Sequence, residues 1–231
     1  MLATLFAVLA AGSALMAQKS DKAHAKESAQ LDEAVSFLRK HVIGKSVVTK
    51  ETVGKIAGTK VEAVVSSKDS YTNLAEMTDG FRFDVTTVYS QMNYDLDKGG
   101  KRIEPGRDEG GIYLIRYHLT RRRSTGGLVG TARIVSSTHK TYTAGFTVGV
   151  LMDFADGVLT SREHSVFYED AYDAKGGWKP GASESVSRFS LKTGRLHVET
   201  EYQAFDVDPK TLKKTRSADP TVKLVADEVA R

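Results

Sequence analysis

The chain has 231 residues, 40% of them hydrophobic, which is enough for one domain with a real core. Its formal charge of +4 is the balance of 33 basic and 29 acidic residues, a mild field that excludes a histone-like nucleic-acid binder. Cysteine is absent, which excludes disulfides, thiolate metal sites and cysteine nucleophiles; an exported form must be stable through burial alone.

The first element in chain order is an apolar run. Residues 2–17, LATLFAVLAAGSALMA, carry no charged side chain and give way abruptly to Gln18, Lys19 and Asp21, the pattern of a secretory signal passing into its polar region. Residues 1–17 are therefore expected to be a signal peptide, cleaved after Ala17 or as late as Ala25, and the protein to be exported, periplasmic or secreted. No Lys or Arg precedes the run, and an uncleaved anchor helix is the alternative, since about 17 residues is the shortest span of a hydrocarbon core.

Residues 28–44 read as one amphipathic helix. Leu31, Ala34, Val35, Leu38 and Val42 form a stripe at helical spacing, and Ser28 can cap its start. Asp32 and Glu33 in the first turns, Arg39, Lys40 and His41 in the last, and Gly44 just beyond suit the helix dipole and a C-cap. The stripe needs something to cover, most simply the mouth or edge of the sheet that follows.

Residues 45–206 change to short alternating runs rich in β-branched and aromatic residues. Strands are predicted at 47–49, 61–66, 81–92, 112–120, 132–137, 142–152, 158–168, 185–191 and 196–205. No helical period intervenes. The predicted fold class is all-β, an antiparallel meander forming a closed or half-open β-barrel or a sandwich, preceded by one amphipathic α-helix. Such a barrel is similar in shape to lipocalin-like and periplasmic lipid-carrier barrels, a likeness of architecture alone. Residues 207–231 are charged and punctuated by Pro209 and Pro220, and read as a flexible tail with a short helix from Thr221.

The alternation assigns faces. Phe81, Phe83, Val85 and Tyr89 share one parity, as do Tyr113, Ile115, Tyr117 and Leu119, then Tyr142, Phe146, Val148 and Val150, then Leu196, Val198 and Tyr202; these form the buried face. The opposite parity carries Arg82, Asp84, Thr86, Arg116, His118, Arg188, His197, Glu199 and Glu201. In 158–168 the pattern is less decisive, because Val158, Val166 and Tyr168 share a parity with Arg162 and His164.

Several stretches could carry chemistry. Arg121, Arg122 and Arg123 end the strand over 112–120 in the segment RRRSTGG, a solvated hairpin loop or a docking patch for anionic lipid or polysaccharide; it is shorter than basic nucleic-acid patches and lacks interleaved aromatics, so no nucleic acid is expected. Asp95 and Asp97 resemble the start of a calcium loop, but Gly99 and Gly106 stand where that loop needs ligands, which leaves a polar hairpin. Tyr168, Tyr172 and Trp178 stand among Glu169, Asp170 and Asp173, a composition that can stack and bond a sugar or fold back as a lid. His118, His164 and His197 lie on separate strands with no ligand spacing, so neither metal nor cofactor is expected.

The function expected is non-catalytic binding of a small amphipathic or apolar ligand by a monomer. Phe83, Tyr89, Tyr113, Tyr117, Tyr142, Phe146 and Tyr202 would offer rings on the concave face. A carbohydrate-active hydrolase or lyase is the first alternative, using the 168–178 loop for sugar and Glu199 or His197 for proton transfer. The second is an envelope interaction protein docking through Arg121, Arg122 and Arg123. No nucleophile elbow, Walker or zincin motif stands in a suitable context.

Overall fold

The computed structural model describes residues 32–55, 60–78, 80–121, 128–139, 143–169, 179–208, 210–211, 213–216 and 222–229. The described residues open with helix α1 over 32–42, whose last turn, Leu38–Val42, widens to a π-helix and ends on Gly44 at φ +80°. Thirteen strands follow: β1 (Ser46–Thr49), β2 (Thr52–Lys55), β3 (Val61–Met77), β4 (Gly80–Asp95), β5 (Arg107–Asp108), β6 (Gly111–Arg121), β7 (Leu128–Ser137), β8 (Thr147–Ala155), β9 (Val158–Glu169), β10 (Lys179–Lys192), β11 (Arg195–Val207), β12 (Lys214–Arg216) and β13 (Val222–Glu228).

Ten of them form a closed antiparallel barrel in the order β3, β1, β13, β11, β10, β9, β8, β7, β6, β4 and back to β3. The short strands β2, β5 and β12 lengthen the wall at one end, pairing with β3, β4 and β11 where their longer neighbours have stopped. Closure removes the unpaired edges that an open sheet would leave.

The two ends of the barrel differ. At one end Phe81, Leu119, Leu128, Leu159 and Leu196 meet inside the wall, and α1 lays Ala34, Phe37, Leu38 and Val42 against the same cluster, with the Phe37 and Phe154 rings 5.4 Å apart. The amphipathic stripe thus finds its cover as a plug. Both flanks of β6 close on glycine at this end: a Cβ at Gly80 would lie 1.9 Å from the Leu119 carbonyl oxygen, and one at Gly130 1.9 Å from that of His118.

Three sequence expectations are revised. Residues 222–228 are not a loose tail: β13 pairs Val198 with Ala226 on one side and Val47 with Glu228 on the other, and so completes the ring. Its short apolar content is enough because both backbone edges are satisfied by neighbours. The strand predicted at 61–66 runs on to Met77, and the one predicted from 142 is described as strand only from Thr147. The loop over 96–106 is built on Asp97, whose Oδ1 accepts from the amides of Gly99 and Lys101 at 2.8 Å each.

Candidate functional site

Away from the plug, the inward positions of the wall stop being uniformly apolar. They enclose a cavity of about 290 Å³ lined by Phe83, Val85, Thr87 and Tyr89 of β4, Tyr113, Ile115 and Tyr117 of β6, and Ser161 and Glu163 of β9. The far wall adds Thr49, Ser67, Asp69 and Tyr71 from β1 and β3, and Ser185, Ser187, Phe189, Val198 and Thr200 from β10 and β11. The two-residue repeat of a strand explains the set, since each strand sends every second side chain inward.

Rings organise the apolar part. Phe83 and Tyr117 stack with centroids 4.5 Å apart and planes 3° off parallel, and Tyr71 meets Phe189 edge-on at 5.9 Å. The Tyr117 hydroxyl then donates to Glu163 Oε1 at 2.7 Å, reaching from β6 to β9 across the interior. On the opposite side, Thr87 Oγ1 donates to Asp69 Oδ1 at 2.7 Å. In the ring order β3 and β9 are five strands apart either way, so Asp69 and Glu163 enter the lumen from opposed walls.

The electrostatics are one-sided. Burial pushes the Asp69 carboxyl up, against the bond from Thr87. Burial also raises Glu163, which its Tyr117 bond opposes and the charge of Asp69 reinforces. Tyr71 and Tyr117 are pushed well above their ordinary range by burial first, and then by Asp69 and Glu163. Among the described residues, no Lys, Arg or His lines the cavity. Ser161, 2% exposed, has a hydroxyl with no hydrogen-bond partner among the described residues.

Of the rings singled out from the sequence, Phe83, Tyr89, Tyr113 and Tyr117 line this cavity. Tyr202 has the inward parity but stands one step beyond Thr200 toward the open end, where it is 37% exposed and off the lining. Phe146 lies before β8 begins, its carbonyl accepting from the Ile134 amide at 2.9 Å, and is likewise off the lining. Tyr168 belongs to β9, its backbone paired with Pro180, but its side chain lies outside the described residues. Tyr142, Tyr172, Trp178, Arg122 and Arg123 are outside them too, and Arg121 is the last residue of β6, paired with Leu128. Sequence reasoning missed Asp69 and Glu163. The signal was the odd parity of 158–168, where Leu159, Ser161 and Glu163 alternate with the exposed-side Arg162 and His164.

The outer face carries charge all round, with Lys68, Arg82, His118, Arg133, Asp153, Glu199 and Lys223 exposed on successive parts of the wall. Arg116 holds Asp84 through two bonds of 2.8 and 3.1 Å, with Asn73 adding a third at 3.1 Å, which keeps this buried carboxyl below its ordinary range. His197 lies between Asp227 at 2.6 Å and Glu199 at 3.2 Å. His118, on β6, sits across the barrel from His197 on β11, so these two are not brought together.

Fold and site together define a hollow, closed, ten-stranded antiparallel β-barrel, plugged at one end by a helix and bearing two acidic groups in its lumen. No known family, curated protein or solved structure shows a significant match to the chain.

Proposed function

We propose that the protein is an exported, non-catalytic carrier that holds a small amphipathic ligand inside the barrel. The observation that carries this reading is the lumen: a cavity of about 290 Å³ walled by Phe83, Tyr113 and Tyr117 on one side and hydroxyls on the other. Its volume lies at the lower end of the roughly 300–1,000 Å³ of small-molecule sites, which fits a compact ligand rather than a long lipid. Export is supported by the uncharged run over 2–17. Proton transfer on the outer face is favoured less, because both ring nitrogens of His197 already face carboxylates.

Native mass spectrometry of the protein purified gently from its own envelope fraction, before and after organic extraction, tests the reading. A discrete adduct that extraction removes is the expected result. A bare polypeptide mass in both samples, together with failure of small aromatic amines and alcohols to bind the extracted protein, overturns it.

A further inference from the structure

Two carboxyl groups inside a barrel whose described lining holds no basic side chain need an explanation. Asp69 and Glu163 are half-buried, and a carboxylate partly withdrawn from water loses hydration that hydrogen bonds from Thr87 and Tyr117 replace only in part. A barrel that merely fills its interior would use apolar side chains there, as this one does at its plugged end. Instead Asp69 and Glu163 approach from opposed walls onto one cavity. An acceptor pair facing one cavity calls for a ligand rich in donors.

Resting on the carrier reading above, we propose that the ligand is a small organic ammonium, its charged head between Asp69 and Glu163 and its apolar body against Phe83, Tyr71 and Tyr117. An ammonium brings several N–H donors, enough for a carboxylate on each side, and its charge offsets the two acids in a region of reduced dielectric. The rings add a favourable face, since the π-clouds of Tyr and Phe attract a cation. The stacked Phe83 and Tyr117 rings, 4.5 Å apart, give the body of the ligand a flat apolar wall. A neutral amphiphile of the same shape leaves both carboxylates without a counter-charge, so the site discriminates by charge as well as by shape.

The test uses the full-length extracted protein and isothermal titration calorimetry with phenethylamine, its neutral near-isostere phenethyl alcohol, and calcium chloride, at about pH 7.5, where the amine is protonated. The amine is expected to bind at least about tenfold tighter than the alcohol. Glu163→Gln and Asp69→Asn should each remove most of that advantage while leaving alcohol binding within a factor of about two. Both variants keep side-chain volume, and a melting temperature at or above the wild-type value shows that each has folded. If alcohol and amine bind equally, the ammonium inference fails while the carrier reading stands. If neither binds, both fail. Calcium binding that excludes the amine and is lost in both variants would assign the carboxyls to a metal and overturn the proposal.

Discussion

The two ends of the lumen are made by the same strands and have opposite characters. At the plugged end Leu119 and Leu159 are 0% exposed, and Phe81 and Leu196 are 1% exposed. One or two inward positions further along those strands stand Tyr117, Ser161 and Glu163 around open space. The apolar end supplies folding free energy through burial and close packing. The polar end lowers stability, because it holds ionisable groups half withdrawn from water and leaves a cavity unfilled. The molecule thus concentrates its stability in one layer so that the next can remain hollow.

The largest break of this arrangement should come from the seam. Deleting residues 222–231 removes β13, leaving β1 and β11 as open edges and stripping Ala226 from the core. Loss of near-ultraviolet circular dichroism and of a cooperative melt is expected; a truncated chain that melts like the full one would mean the ring does not depend on its closing strand. Next in size is a matched pair on β9. Leu159→Ala should cost about 2–5 kcal/mol in urea unfolding. Ser161→Ala, one inward position away, should cost almost nothing, because it removes a buried hydroxyl that has no partner. Similar losses at both sites would erase the distinction between the layers.

A smaller effect of opposite sign is expected for the lumen acids. Glu163→Gln or Asp69→Asn should raise the stability of the ligand-free protein at neutral pH, on the order of 1 kcal/mol each. The pH dependence follows from the same groups. A carboxyl raised in the folded state binds protons more readily folded than unfolded, so Asp69 and Glu163 favour folding below their ordinary values and lose that contribution as pH rises through their folded ones. Asp84, held down by Arg116, and Asp227, held down by His197, act in reverse. Glu228, held down by the Leu196 amide and by Lys45, joins them. Their contribution is present above about pH 4 and lost as pH falls through their lowered values. Stability followed by denaturant titration should therefore rise on mild acidification and then fall below about pH 4, and the Asp69→Asn, Glu163→Gln double variant should lose the rising limb. The smallest effect is expected on the outside: Arg162→Ala, which removes an exposed pair with Asp153, should change stability by about 0–1 kcal/mol.

How much of this was legible follows from where apolar alternation survives. Strands β4, β6 and β11 face the plug and the ring-lined wall with Phe, Tyr, Leu and Val, so their ranges and inward faces could be read directly. The distal half of β3 could not. Ser67 and Asp69 point into a polar cavity while Lys68 faces water, and a strand polar on both sides carries no period-two hydrophobic signal. The same physics hid Glu163, since inward Ser161 and Glu163 look no different from outward Arg162 and His164 until the wall is closed. β13 was hidden for another reason. VKLVADE is short and ambiguous alone, and becomes a strand only because β1 and β11 present two free edges to it.

That last strand also sets the order in which the molecule can be made. Val47 pairs with Glu228, and the join is clasped by Lys45, whose Nζ lies 2.6 Å from Glu228 Oε1, and by the Leu196 amide, 2.9 Å from Glu228 Oε2. A chain emerging amino end first from the ribosome therefore completes nine walls of the ring and still has nothing to latch them with. Contacts between such distant parts of a sequence form slowly, on the order of milliseconds to seconds for β-rich domains. The ring therefore cannot close until residues 222–228 have been synthesised and have found both β1 and β11.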